Sequence, residues 1–530
     1  MPFSTVISAA IRGLQVEILH VEADVSNGLP MFHMVGYLSS EVKEASERVR
    51  TAIRNTDIQL PARKIVVNLA PATMRKRGAS FDLPIALSVL GAMGLFPGKL
   101  LDGLLVIGEL GLDGRVKKVP GILPIIMKAR EQGCHTCIVP EQNAAEGELV
   151  EGLKIIGVGH LREACMYLNG QVKAQPKPRQ SLEQTGNPLC TVSLDFGDIQ
   201  GQRAVKRAAE VAVAGGHNLL LIGPPGSGKT MMAKRIPTIL PKPSLEESIE
   251  MTKIYSVMGM VDEDRPLITG RPFRSVHHTT TKAALIGGGS IPVPGEISLS
   301  HGGVLFLDEL AEFPKTVLEV LRQPLEEHQI RITRSHGNYV FPANFMLIGA
   351  MNPCPCGNYP DFEKCTCTQE QIQKYLGRIS QPFLDRIDIC IEAPKIDYES
   401  LHVHREQESS AQIRERVLET RRIQNLRYEK TDIRSNSMLG IKELEVYCRL
   451  GQREEQLMRQ AFASLGLTAR TYHKILRVAR TIADMDASEE IQERHLKEAI
   501  GYRSLDKKYW SRYRYTKKEE IKGGEDTYDI

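Results

Sequence analysis

The chain has 530 residues, 42% of them hydrophobic and 25% charged, with a formal net charge of +4. That length supports two or three domains with cores of their own, and the composition excludes a disordered, fibrous or collagen-like chain. The near-balance of charge excludes a uniformly basic nucleic-acid binder, so any such surface has to be local.

Met1 to Ala10 lacks the basic stretch and long apolar core of a secretory leader. Nor does any apolar run approach the roughly 18 residues of a membrane span, so a cytoplasmic protein with no membrane contact is expected. In that compartment the ten cysteines point to thiols or metal ligands rather than disulfides. Residues 1–170 form a first domain of mixed strands and helices. Ile65 to Leu69 and Leu104 to Ile107 have the continuous apolar pattern of buried strands, and Ser39 through Arg54 has a helical pattern with a charged outer face. Cys134 and Cys137 have C-x-x-C spacing but no second pair nearby, and a buried strand follows, so they are read as core cysteines. Residues 171–187 change to Gln, Lys, Pro and Ser and are predicted to be a linker.

The second domain, 188–397, carries the chemistry. An apolar strand, Leu219 to Ile222, runs into Gly223-Pro224-Pro225-Gly226-Ser227-Gly228-Lys229-Thr230 and then into a helix. Strand, glycine-rich loop and helix in this order make a phosphate-binding loop, in which backbone N–H groups turn inward around a nucleotide's phosphates. Lys229 reaches the β- and γ-phosphates, and the Thr230 hydroxyl holds Mg²⁺. Further on, Val304 to Leu307 is a buried strand ending in Asp308 and Glu309. Asp308 is placed to bind Mg²⁺ and Glu309 to polarise an attacking water, so the sequence predicts a nucleoside triphosphate hydrolase using ATP and Mg²⁺. Another buried strand, Phe345 to Met351, ends at Asn352, whose amide suits orientation of that water. Two interruptions stand in this region, the first of them rich in glycine and proline. One spans 283–303, and the other, Gln329 to Phe341 with a turn at Ser335 to Asn338, reads as a hairpin. His277 and His278 are assigned a structural role. Cys354, Cys356, Cys365 and Cys367 form two tight pairs across a short polar loop, which suits a closed tetrahedral, structural Zn²⁺ site.

Helical patterns dominate 398–505, a predicted all-α lid in which Thr468 caps a helix bearing Arg470, Tyr472 and the apolar set Ile475, Leu476, Ala479 and Ile482. The tail, 506–530, interleaves Lys507, Lys508, Arg512, Arg514, Lys517 and Lys518 with Tyr509, Trp510, Tyr513 and Tyr515. That mixture suits single-stranded nucleic acid, but a solvated terminal extension is the favoured reading.

These pieces resemble the AAA+ motors among the P-loop NTPases. On that resemblance Asn352 matches a sensor 1 and Arg470 a sensor 2, acting on the γ-phosphate of its own or an adjacent subunit. Leu384-Asp385-Arg386-Ile387-Asp388 looks like the segment that delivers an arginine finger into a neighbour, with Arg386 preferred over Arg378. The two interruptions resemble the helix-2 insert and pre-sensor-1 hairpin of the clade that includes magnesium chelatase and replicative helicases. In that clade both face the central pore, which implies that Arg331, Arg334 and His336 contact a nucleic-acid backbone without reading its sequence. Over nearly its whole length the chain is similar to the ComM/YifB family of magnesium-chelatase-like AAA+ proteins. The strings that carry this are Gly28-Leu29-Pro30, Val67-Asn68-Leu69-Ala70-Pro71-Ala72, Phe81-Asp82-Leu83-Pro84-Ile85-Ala86-Leu87, Pro294-Gly295-Glu296-Ile297-Ser298-Leu299 and Asn352-Pro353-Cys354-Pro355-Cys356-Gly357.

The resemblance implies an α/β fold: a Lon-protease-like α+β domain, a P-loop AAA+ α/β core with its hairpin, and an α-helical lid. It also implies a homo-hexamer with helicase-type activity that migrates branched or single-stranded DNA in homologous recombination and natural transformation, alongside recombination proteins. Lys76-Arg77-Gly78-Ala79-Ser80 is reminiscent of the Lon serine segment, but Leu123 stands where the lysine base belongs, and Lys117 and Lys118 are out of register. The first domain is therefore expected to serve assembly or DNA binding rather than proteolysis. A magnesium-chelatase subunit is the alternative, against which stands the absence of a downstream Asp-x-Ser-x-Ser motif.

Overall fold

The computed structural model describes residues 3–172, 186–187, 194–289, 291–334, 337–395 and 407–511. His336, Arg512, Tyr513, Arg514, Tyr515, Lys517 and Lys518, together with most of the predicted linker and the start of the predicted lid, lie outside the described residues. The chain is an α/β protein whose described residues form two large sheets and several two-stranded ladders, with helices gathered toward the C-terminus.

The first sheet has seven strands: β1 (Phe3–Arg12), β2 (Gln15–Ser26), β3 (Met31–Val35), β4 (Lys64–Ala70), β5 (Leu104–Val106), β6 (Thr136–Pro140) and β7 (Lys154–Val158), in the order β3-β4-β2-β1-β5-β6-β7. β1 and β2 pair antiparallel through the turn at Gly13, whose φ of +66° is the left-handed geometry that glycine adopts without a Cβ penalty. A helix that is buried all round, Asp82–Ala92, packs against β1 and β2 and forms the centre of this core. The helical pattern from Ser39 divides into two pieces, Ser40–Lys43 and Ala45–Arg54, with Glu44 between them. Cys134 and Cys137 are buried among aliphatic side chains, and burial pushes both thiols up, Cys137 to about 12.

The second sheet is wholly parallel. Its strands β8 (Leu219–Ile222), β9 (Phe273–Val276), β10 (Val304–Leu307), β13 (Met346–Met351) and β14 (Ile389–Glu392) take the order β9-β10-β13-β8-β14. Most residues of β8, β10 and β13 are fully buried, as parallel strands covered on both faces require. Between β10 and β13 stands an antiparallel hairpin, β11 (Gln329–Arg334) and β12 (Gly337–Pro342), with Arg331 opposite Val340 and Arg334 opposite Gly337. A short helix, Lys282–Ile286, is followed by a two-residue ladder of Gly287–Gly288 with Val293–Pro294 and a helical turn, Glu296–Leu299.

The C-terminal helices pack back on the core. Thr468 accepts a hydrogen bond from Thr471 N–H at 3.2 Å and so caps the helix Ala469–Met485, which buries Ile475, Leu476, Ala479 and Ile482. Its Lys474 ammonium lies 2.9 Å from Asp388 at the foot of β14, tying lid to core. The start of the tail is not a solvated extension: Tyr509 is buried, its hydroxyl donates to Glu392 at 3.1 Å, and Trp510 Nε1 donates to Leu376 O at 3.2 Å. Aromatic surface is covered at the edge of β14 instead of being presented to solvent.

Candidate functional site

The phosphate loop sits at the carboxyl end of β8, one strand in from the edge of the parallel sheet. Gly223 passes against the Ala393 carbonyl, which a methyl group would strike, while Gly226 and Gly228 have φ of +76° and +78°. A helix, Lys229–Ile239, begins immediately and aims its N-terminus at the loop's concavity. Lys229 is nearly buried, and its Nζ donates to Gly223 O at 2.8 Å and Pro224 O at 2.9 Å. Burial holds its pKa below the usual lysine range, with Asp308 opposing the shift.

Two groups distant in sequence, Asn352 and Asp308, come to the loop around that ammonium. Asn352 Oδ1 lies 3.2 Å from Lys229 Nζ, and the Thr230 hydroxyl donates to Asp308 Oδ2 at 2.8 Å. A hydroxyl and a carboxylate meeting beside a glycine-rich loop are the kind of oxygen pair that could hold a hydrated Mg²⁺. Glu309 follows with φ +51°, an uncommon conformation for a residue with a Cβ, and its carboxylate is about half exposed. Such a group can accept a proton from water.

Two neighbours were not placed at this site by the sequence: Gln202, and the His277–His278 pair that was given a structural role. Gln202 Nε2 donates to Ser227 O at 2.6 Å and braces the loop from outside. The His277–His278 pair belongs beside Glu309: His278 Nδ1 comes within 3.1 Å of Glu309 Oε2, out of line for a hydrogen bond. The signal was strand register. β9 and β10 run parallel with Val276 opposite Leu307, so the two residues after each strand must meet.

The arginines divide between the two ends of the sheet. Arg378 bonds Ala311 O at 3.0 Å and Glu312 at 2.5 Å, close to this chain's own acidic strand end. Arg386 is nearly buried, 2.5 Å from Glu326 and 3.2 Å from Arg322 O. It shares a cleft of about 830 Å³ with Arg470, Arg477 and Asn218. Asn218 precedes β8 whereas Gly223 follows it, a separation of about 16 Å at 3.3 Å per residue. Arg386 and Arg470 therefore lie together, away from their own phosphate loop.

On the hairpin, Ile330, Ile332, Tyr339 and Phe341 are buried while Arg331 and Arg334 face solvent. Arg331 is 3.7 Å from Glu327, an exposed pair that a polyanion can displace at little cost.

The four cysteines of the second domain cluster tightly. Sγ–Sγ distances are 3.3 Å for Cys354–Cys356, 3.8 Å for Cys354–Cys365 and 3.6 Å for Cys356–Cys365, and Cys367 completes the group. Bonds of about 2.3 Å in a tetrahedron place sulfurs about 3.8 Å apart, so the cage has the size of Zn²⁺. Burial opposes ionisation at Cys356, but Asn358 and Thr366 backbone groups and neighbouring thiols hold it down at about 6; burial and neighbouring thiols push Cys365 up to about 12. The knuckle adjoins the nucleotide site, because Gly357, at φ +82°, packs against the Pro225 ring of the phosphate loop. In the first unit Leu123 is buried, and Lys117 and Lys118 pair with Glu109 and Glu263, each at 3.3 Å.

Three family models cover most of the chain: the ChlI subunit of magnesium chelatase over 21–143, the ChlI subunit of magnesium chelatase again over 195–401, and the C-terminal part of that subunit over 407–503. Competence protein ComM of Haemophilus influenzae is 42% identical over 508 residues, 95% of this chain and 98% of that protein. The chain belongs to the ComM/YifB family of magnesium-chelatase-like AAA+ proteins. YifB of Escherichia coli, named an uncharacterized protein, is 40% identical over 509 residues, 96% of this chain and 98% of its own length. Lon protease 2 of Bacillus subtilis is 27% identical over 235 residues, 38% of this chain and 41% of that protein. Membership of this ComM/YifB family carries ATP hydrolysis with Mg²⁺ as its chemistry. No helix among the described residues is long and apolar enough to cross a membrane.

Proposed function

We propose that this chain is an ATP-driven motor that moves branched or single-stranded DNA, working as a hexameric ring in the cytoplasm. The observation that carries the hydrolytic half is the meeting of Thr230 and Asp308 beside Lys229 and Asn352. Lys229 and the loop N–H groups grip the β- and γ-phosphates, and Thr230 and Asp308 hold Mg²⁺, which offsets phosphate charge. Glu309 takes a proton from the attacking water, and Asn352 orients that water. Because Arg386 and Arg470 occupy the far end of the sheet, they serve the neighbour's nucleotide: Arg386 as the finger that offsets transition-state charge, Arg470 as the sensor from the lid. Arg386 must first leave Glu326, which makes turnover depend on assembly. The Cys354, Cys356, Cys365 and Cys367 cage holds a structural Zn²⁺.

The DNA half rests on the exposed Arg331 and Arg334 and on the competence name of the Haemophilus relative. The family models favour a second reading, a chelatase-type subunit that remodels a protein partner. One comparison separates them: processing of a four-way DNA junction, measured beside ATPase activity. The motor reading expects ATP-dependent junction processing that Arg331→Ala with Arg334→Ala abolishes while ATP binding stays intact. No processing by the wild type, or normal processing by the double variant, would refute it.

A further inference from the structure

A second cleft lies where the first unit meets the hairpin. It measures about 540 Å³, the scale of a site for one small organic molecule or nucleotide. Arg12, Arg75, Arg77 and Lys118 line it against two carboxylates, Glu17 and Glu109, so cations predominate. Its rim carries two stacked pairs. The Arg75 guanidinium lies over the Tyr37 ring, 5.8 Å from its centroid, and that of Arg12 over Tyr339, 5.6 Å away.

This cleft is continuous with the hairpin. Gly13 lets the turn between β1 and β2 approach Tyr339 closely, since a Cβ there would come within 3.1 Å of the ring. Gly337 leaves room for the Arg12 guanidinium, which a methyl group would strike, and Gly337 is the register partner of Arg334. Cations therefore run from Arg331 and Arg334 on the hairpin, through Arg12, to Arg75 and Arg77 on the first unit. Tyr37 stands among them with half its surface open.

We propose that this Arg- and Tyr-lined cleft seats a single strand of nucleic acid leaving the hairpin, with a base stacked on Tyr37 and phosphates paired with Arg75 and Arg77. The proposal rests on the DNA-motor reading and gives the first unit a part in it. Flat aromatic and guanidinium faces among cations match what a single strand presents, exposed bases on a chain of phosphates. The volume matches about one nucleotide of such a strand.

The test is fluorescence anisotropy of a labelled oligothymidylate with the full chain, titrated at several salt concentrations. Tyr37→Ala should weaken binding about tenfold, and Tyr37→Phe should restore it because the ring is kept. Arg75→Ala with Arg77→Ala should weaken binding and reduce the slope of log affinity against log salt by about 1.4, at about 0.7 per lost phosphate contact. The thermal midpoint should stay at the wild-type value in both Tyr37 variants and in Arg75→Ala alone, because Tyr37 and Arg75 are exposed. If the wild type binds the oligonucleotide and the variants bind it equally well, the cleft assignment is overturned and the motor reading stands. If the wild type binds neither oligonucleotide nor four-way junction, the motor reading falls and the cleft with it. If the variants lose binding of labelled unfolded casein while keeping the oligonucleotide, the cleft takes polypeptide and the proposal is wrong.

Discussion

Replacing Gly357, which lies outside the phosphate loop, with alanine should weaken ATP binding by displacing that loop. At φ +82° an L-residue costs about 1–2 kcal/mol relative to glycine. The added methyl also collides with the Pro225 ring of the phosphate loop, and overpacking of this kind costs about 1–3 kcal/mol more. With zinc bound as proposed, the cysteine knuckle is held by its four sulfurs, so the strain is relieved by displacing Pro225, and the loop loses its fitted shape. If about 1.4 kcal/mol of the total falls on the nucleotide-binding conformation, affinity drops about tenfold. Titration with a fluorescent ATP analogue measures this, with zinc content and the melting midpoint followed in parallel. Gly133→Ala is the control: φ there is +77°, but nothing lies within 4 Å of the added carbon, so only the backbone cost applies and ATP affinity stays unchanged. Wild-type ATP affinity in Gly357→Ala, with zinc retained, would refute the coupling of knuckle to loop.

Glu309→Gln should bind ATP and leave rings assembled, with turnover down at least about 100-fold for loss of the base, whereas Lys229→Ala should lose nucleotide binding; wild-type turnover in Glu309→Gln would assign the base elsewhere. Purified protein should carry one zinc per chain by elemental analysis, and Cys354→Ser with Cys365→Ser should release it and lower the melting midpoint, since ligand bonds supply folding free energy. Arg386→Ala should bind ATP but not turn it over, and doping it into wild-type rings should lower activity more than in proportion to its fraction; strictly proportional loss would place the finger elsewhere. His217 is buried against Thr481, at 2.8 Å, and burial lowers its pKa to about 4 from 6.5, with nearby Asp388 opposing the shift. An unfolded chain takes up that proton first, so stability is full above pH 6.5 and falls as pH drops toward 4, by about 3 kcal/mol at most. His217→Gln should flatten that part of a pH-dependent urea-unfolding series, and an unchanged profile would remove His217 as its source.

The nucleotide loop, the acidic strand end, the cysteine cage and the hairpin could be read from the chain because each is short and contiguous. Gly223 to Thr230 needs only a strand before it and a helix after it, and four thiols at that spacing need only a turn. The Thr468 cap and the buried stripe of its helix are legible for the same reason. The fate of Tyr509 and Trp510 was not. A basic-aromatic string has the same local pattern whether it is solvated or docked, and docking here depends on Glu392 and Leu376, both more than a hundred residues away.

Sequence alone thus determined which chemical groups the protein owns and the local backbone that presents them, since those follow from spacing and residue type. Tertiary structure decided which groups face one another. Parallel register between β9 and β10 brings His278 to Glu309, and the four residues of β8 put Arg386 and Arg470 at the opposite end of the sheet from the loop they resemble partners of. Packing sets Gly357 on Pro225 and Gly13 on Tyr339. Each of these is a distance between segments far apart in the chain, fixed by strand pairing and side-chain volume, and no local periodicity encodes it.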